Sequence, residues 1–267
     1  MQVGAFFSNL WDEYTRITPQ AQRIRDLFTK RGETVINDHV AFRTFAASPV
    51  SLDRLEPLIL GLGYLRFAPY QFPDKHLHAC GYVHDDPIQP RIFLSELDTG
   101  KLSPGNQAST QRMIHSIPDS ESQDYSVFWS GRLWPLPTFK QYELLLAESE
   151  YAAWLSVWGL RANHFTVSVN HLKHTPQIAQ VLGLIKETGF KLNTDGGEIK
   201  GSPEVLLEQG STLADRIEFE FADGIKKRIP SCYYEFAKRY PDEHGKIYDG
   251  FVPGSAERLF ASTNVTG

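Results

Sequence analysis

Three short segments carry residues suited to holding a metal: Asn37-Asp38-His39-Val40-Ala41-Phe42-Arg43, Asn163-His164-Phe165-Thr166-Val167-Ser168 and Ser231-Cys232-Tyr233-Tyr234-Glu235-Phe236. In each, one His or Glu stands among apolar residues whose alternation reads as half-buried strand. Two imidazoles and one carboxylate, with open positions left over, are the usual ligands of a non-haem Fe(II) site that takes O2 and substrate. His39, His164 and Glu235 are therefore the candidate metal set, provided the fold brings them together. Arg43 follows His39 by four residues. On a strand that spacing puts both side chains on one sheet face, where a guanidinium can grip a substrate carboxylate bidentately.

Each residue also has a plain structural reading. His39 reads equally as a half-buried imidazole bonded to backbone, and Arg43 as the partner of some acid. The face carrying His164, Thr166, Ser168 and Asn170 is polar along its length, so it meets water or lines a cavity. Glu235 is costly to bury between Tyr234 and Phe236 unless paired or metal-bound. Glu218 and Glu220 compete with it, but they alternate with Ile217, Phe219 and Phe221 and suit the wet face of an amphipathic strand. His76 and His78 are the second choice of ligands, and Glu96 is the expected first-half counterpart of Glu235. His171 and His174 read as loop residues.

The elements that must position these groups follow from periodicity. Phe6, Phe7, Leu10, Trp11 and Tyr14 predict one helix, and Thr18-Pro19 opens a second through Phe28. A strand over 35–45 precedes a helix from Ser51 to Gly61–Gly63, then strands over 64–70, 76–82 and 90–97. A stretch rich in Pro, Ser and Gly runs from Ser103 into a helical passage over 139–157. The first pattern then returns: a strand over 163–169, a helix from Thr175-Pro176 to Gly189, and strands over 190–193, 205–209, 216–221 and 232–237. The expected fold is α+β. Two βαβββ half-barrels, about 33–100 and 161–240, enclose a metal cleft as one domain, with a helical N-terminus and a helical connector over about 103–160. The duplication rests on element order, with no residue identity between the halves.

Composition excludes more than it names. The 267 residues are 41% hydrophobic and 22% charged with a net charge of -5, which is ordinary for a globular protein and argues against nucleic-acid binding. The longest basic block is Lys226-Lys227-Arg228. No apolar run approaches a membrane span and no signal-peptide pattern opens the chain, so the expectation is a cytoplasmic protein without membrane partners. Cys80 and Cys232 fit no zinc or redox spacing and read as reduced core thiols. Nucleophile elbow, phosphate-cradling loop, CxxC and HExxH are all missing.

Taken together these segments resemble the 2-oxoadipate dioxygenase/decarboxylase family, related to the vicinal oxygen chelate enzymes that include 4-hydroxyphenylpyruvate dioxygenase. The resemblance is carried by the strand with His39 and Arg43, by Asn163-His164-Phe165-Thr166, and by Gly197-Glu198-Ile199-Lys200-Gly201-Ser202-Pro203 running into Leu207-Glu208-Gln209-Gly210-Ser211-Thr212. Tyr234-Glu235-Phe236-Ala237 and the closing Tyr248-Asp249-Gly250-Phe251 and Ala256-Glu257-Arg258-Leu259-Phe260 extend it. It implies Fe(II) on His39, His164 and Glu235, with another divalent metal as the variant. It also implies a small 2-oxo acid held by Arg43 and O2 as co-substrate. The reaction implied is conversion of 2-oxoadipate to 2-hydroxyglutarate with release of CO2. By the same resemblance Gln209, Ser211 and Thr212 complete the pocket. Two rivals stand beside this: a divalent-metal isomerase, lyase or hydrolase on the same scaffold, and a small-molecule binder without catalysis.

Overall fold

A computed structural model describes residues 1–263. Its centre is the antiparallel pairing of β1 (Asn37–Phe45) with β5 (Ala162–Ser168). From β1 the sheet continues outward through β4 (Arg91–Leu97), β3 (Leu77–His84) and β2 (Tyr64–Phe72). From β5 it continues through β10 (Tyr233–Arg239), β7 (Leu207–Ser211) and β6 (Lys200–Ser202). Eight strands thus form one sheet of two equivalent halves, each with its first and last strands parallel and its two middle strands paired as an antiparallel hairpin. The expected duplicated α+β architecture is what forms. α3 (Leu52–Gly61) and α7 (Ile178–Glu187) are the crossover helices that parallel pairing requires.

The register defines the duplication residue by residue. His39 lies opposite Arg91 and Ala41 opposite Phe93, as His164 lies opposite Tyr233 and Thr166 opposite Glu235. Phe93 faces Gly81 as Glu235 faces Ser211. The first-half counterpart of Glu235 is therefore Phe93, not Glu96. Glu96 instead accepts the Leu52 backbone N–H at 2.8 Å, at the start of α3. The turns joining the inner hairpins also match. Pro73-Asp74-Lys75-His76-Leu77 and Pro203-Glu204-Val205-Leu206-Leu207 each pass through one left-handed residue, His76 (φ 55°) and Leu206 (φ 63°). Residue identity between the halves exists after all, in this Pro-acid-x-x-Leu.

α1 (Val3–Ile17) and α2 (Pro19–Lys30) cover one face of the central strands. Trp11 packs edge-on to Phe165 and tilted against Tyr234, while Phe28 meets Phe236. Strand alternation then sends His164 and Glu235 to the other face. The connector holds one more helix than expected, α4 (Pro104–His115), whose polar sequence hides a buried stripe of Asn106, Thr110, Met113 and Ile114. The passage after it breaks at Ser149 into α5 (Phe139–Glu148) and α6 (Glu150–Trp158), because the Ser149 side chain caps α6. Trp154 and Trp158 donate their indole N–H groups to the Ser231 and Pro230 carbonyls, tying α6 to the second half.

Three further expectations are corrected. Residues 190–193 make a single bridge, Leu192 to Thr212, rather than a strand. The strand over 216–221 leaves the sheet: β8 (Arg216–Glu220) pairs only with β9 (Lys226–Pro230), as a hairpin inserted between β7 and β10. The helix after Thr175-Pro176 begins at Ile178. A closing helix, α8 (Pro253–Phe260), packs back on the sheet over β6, β7 and β2.

Candidate metal centre

β1, β5 and β10 are adjacent, so His39, His164 and Glu235 converge although 125 and 71 residues separate them in the chain. His39 Nε2 is 3.4 Å from His164 Nε2 and 3.4 Å from Glu235 Oε1, and His164 Nε2 is 3.4 Å from Glu235 Oε2. Candidate ligand atoms of all three lie within 4.8 Å of one another, and the residues are 2%, 7% and 0% exposed. Each imidazole Nε2 thus faces one of the two carboxylate oxygens across 3.4 Å, a spacing that leaves room between the groups for a divalent cation bonded at about 2 Å.

The ring nitrogens facing away from the centre are held. His39 Nδ1 donates to the Asp38 carboxylate at 2.7 Å, and His164 Nδ1 donates to Asn163 Oδ1 at 3.1 Å. This fixes the tautomer that presents a lone pair at Nε2. Asp38 is buried and takes the Arg239 guanidinium at 2.8 to 3.1 Å, with Arg91 at 3.6 Å. Burial opposes its ionisation, but Arg239, the His39 bond and Arg91 hold its carboxyl far below the usual range. Burial also depresses both histidines. For His39 this outweighs the hydrogen bond to Asp38, and for His164 the charges of His39 and Arg43 add to it. Both imidazoles are therefore neutral, as ligation requires.

Glu235 is the group out of balance. Burial pushes its carboxyl up to about 8, against the lowering effect of Gln209, whose Nε2 donates to Glu235 Oε1 at 2.6 Å. Glu235 Oε2 has no hydrogen-bond partner. A carboxylate with one oxygen unserved, facing two neutral imidazole nitrogens, is what a cation would complete. The donor set fits a divalent metal.

The triad opens on a cavity of about 30 Å³, walled by Ala41, Phe93, Phe251, Leu259 and Phe260. Arg43 lines it too and is 1% exposed. Its guanidinium lies 5.0 Å from the ring centres of Tyr151 and Trp154 and 5.6 Å from that of Phe260. Nη1 donates to Glu150 at 2.9 Å and Nη2 to Thr263 at 3.3 Å, while Nε has no partner. Gln209 lines the cavity. Ser211 and Thr212 do not: Ser211 shares its hydroxyl with Ser262 at 2.9 Å, and Thr212 accepts the Tyr234 N–H at 3.1 Å. The alternative ligands lie elsewhere. His76 and His78 are exposed, and Glu220 pairs with Lys226 at 3.2 Å. Cys80 and Cys232 are both free and buried, as expected.

Sequence reading missed Asp38, Asn163, Tyr233 and Phe93. The first two were legible as the polar residue preceding each histidine. Tyr233 was legible as the neighbour two positions from Glu235 on the same face.

The duplicated sheet with its inward-facing polar residues defines a vicinal-oxygen-chelate-type fold. The chain belongs to the 2-oxoadipate dioxygenase/decarboxylase family, whose profile matches residues 6–242. It is 35% identical to the chloroplastic/amyloplastic 2-oxoadipate dioxygenase/decarboxylase of Oryza sativa subsp. japonica, over 96% of this chain and 77% of that one. Among solved structures it is similar to the Oryza sativa hydroxyglutarate synthase crystallised with 2-oxoadipate, at 34% identity and TM-score 0.91 over 98% of this chain and 92% of that one. A Shewanella frigidimarina protein described as a hydrolase is 45% identical, with TM-score 0.89 over 94% of this chain and 98% of that one.

Proposed function

We propose that this protein is an Fe(II)-dependent dioxygenase that converts 2-oxoadipate and O2 to 2-hydroxyglutarate and CO2. The observation that carries the reading is the buried His39–His164–Glu235 triangle opening on an apolar cavity that also contains a buried arginine with a free N–H. His39, His164 and Glu235 hold the metal, and Asp38, Asn163 and Gln209 hold those three in place. Fe(II), when bound, supplies O2 activation and a template for the 2-oxo acid. Arg43 fixes a substrate carboxylate, and the rings of Phe93, Phe251 and Phe260 exclude water from the methylenes between. The rice relatives' names, 2-oxoadipate dioxygenase/decarboxylase and hydroxyglutarate synthase, support this choice of substrate and product.

The segments 33–100 and 161–240, joined through 103–160, act as one metalloenzyme unit in this proposal, because the ligands come from both. We place the activity in the cytoplasm. Among the described residues no helix is long and apolar enough to cross a membrane. The test is metal analysis of protein purified without oxygen, followed by O2 uptake and CO2 release over a panel of 2-oxo acids. Stoichiometric iron with coupled O2 uptake and CO2 release from 2-oxoadipate supports the reading. Metal-dependent turnover without O2, or tight binding without turnover, overturns it.

A further inference from the structure

Among the described residues seven buried side-chain polar atoms lack a hydrogen-bond partner, and five belong to residues lining the cavity beside the triad. They are Arg43 Nε, Asn163 Nδ2, Gln209 Oε1, Tyr233 OH and Glu235 Oε2. Buried polar groups are normally satisfied, so a concentration of unserved ones in a single cavity marks where a ligand's polar groups go. Glu235 Oε2 faces the metal position. Tyr233 is neither one of the three candidate ligands nor a partner that holds them.

Tyr233 is 0% exposed and held from two sides. Its ring stacks on His164, with centroids 4.6 Å apart and planes 24° apart, and its carbonyl accepts the Tyr14 hydroxyl. It stands two residues before Glu235, on the same strand face, so it points into the cavity rather than at the helices that cover Tyr234. The ionisable groups acting on its phenol include Glu235, Arg43, Glu150 and Cys232. Arg43 commits one N–H of Nη1 to Glu150 and one of Nη2 to Thr263, while its Nε has no partner. One N–H serves one oxygen of a carboxylate. The other oxygen then meets whatever further donor the cavity offers, and the unpartnered Tyr233 phenol lines the same cavity.

We propose that the Tyr233 hydroxyl is a specificity-determining donor that, with Arg43 Nε, takes the far carboxylate of a dicarboxylic 2-oxo acid. The inference rests on the functional reading above for the placement of the 2-oxo acid end at the metal. A monocarboxylic acid of equal length would leave both donors buried and unpaired, and polar groups left so are the strongest means a site has of rejecting an analogue. Tyr233 thereby selects dicarboxylates without touching the metal.

The test is Tyr233→Phe, which keeps the stacked ring and removes only the hydroxyl. Binding of 2-oxoadipate and of 2-oxohexanoate to the metal-loaded protein is measured by calorimetry without oxygen, alongside metal content and O2 uptake. The expected result is unchanged metal content, 2-oxoadipate binding weakened roughly 10- to 100-fold, the loss typical of one hydrogen bond to a charged group, and 2-oxohexanoate binding unchanged. Equal weakening of both acids, or of neither, overturns the proposal, as does a wild-type protein that does not prefer the dicarboxylate. Selective weakening in a protein that fails to consume O2 upholds the role of Tyr233 while overturning the proposed reaction.

Discussion

Removing the metal should make the stability of this protein fall as pH rises, and Glu235→Gln should abolish that fall. In the metal-free fold the Glu235 carboxyl titrates near 8, against 4.5 when unfolded, chiefly because it is buried. The folded state therefore holds the proton more tightly. The stabilisation is complete below pH 4.5, declines as pH rises, and is lost once pH passes about 8. At about 1.4 kcal/mol per pH unit the whole effect is about 5 kcal/mol, comparable with the net stability of many domains. His39 and His164 titrate below their ordinary values when folded, so they act in the opposite sense and only as pH falls through and below about 6.5. The window from pH 6.5 to 8 isolates Glu235. Across it, the unfolding free energy of metal-free wild type relative to metal-free Glu235→Gln should drop by about 2 kcal/mol. The assay is urea denaturation of both proteins after chelation at four pH values. Parallel curves, or a difference of the other sign, would refute the claim that Glu235 is buried without a cation's help. Over the same window divalent-metal affinity should rise with pH, since binding expels that proton.

Single exchange of His39, His164 or Glu235 for Ala should abolish stoichiometric metal binding while circular dichroism stays that of the wild type; full occupancy in any of the three would remove that residue from the ligand set. Arg43→Ala should keep the metal and raise KM for 2-oxoadipate roughly 10- to 100-fold, the loss expected for a charged hydrogen bond. An unchanged KM would deny the clamp. Asp38→Asn should weaken metal binding about 10- to 100-fold by loosening His39, visible as a higher metal Kd in chelator competition, with a lowered Tm because Arg239 loses its buried counter-charge.

The site was more legible in the sequence than the sheet around it. Strand alternation at 37–45, 162–168 and 233–239 is strong because one face meets α1, α2 and the core while the other holds isolated polar groups. A period of two then puts His39, His164 and Glu235 among the candidates on that face, while Glu218, Glu220, His76 and His78 stand as competitors until the strands are placed. The hairpin β8–β9 misled for the same reason: Ile217, Phe219 and Phe221 alternate as a barrel strand does, and pattern alone does not say which strand accepts the hydrogen bonds. α4 was hidden because its inward residues are Asn106 and Thr110 as well as Met113 and Ile114. Asn106 is satisfied by the Leu144 carbonyl and Glu148, a partnership no local signal announces. The repeated Pro-acid-x-x-Leu turn was available in the chain and would have aligned the halves. From that alignment it is the strand register, counted past the inserted β8–β9 hairpin, that gives Phe93 rather than Glu96 the position of Glu235.

That exchange of phenyl for carboxylate breaks the symmetry of the sheet in a useful way. Had both halves kept an acid, two imidazoles and two carboxylates would have enclosed a cation from four sides, the closed arrangement of a structural metal site. Phe93 instead packs 4.8 Å from Phe251, which in turn lies 4.9 Å from His39. The duplicated scaffold thus offers His39 from one half and His164 with Glu235 from the other, and sets a phenyl where a fourth donor would stand. Its vacant quadrant is bounded by hydrocarbon, a surface that neither competes for the metal nor offers a proton to what binds there.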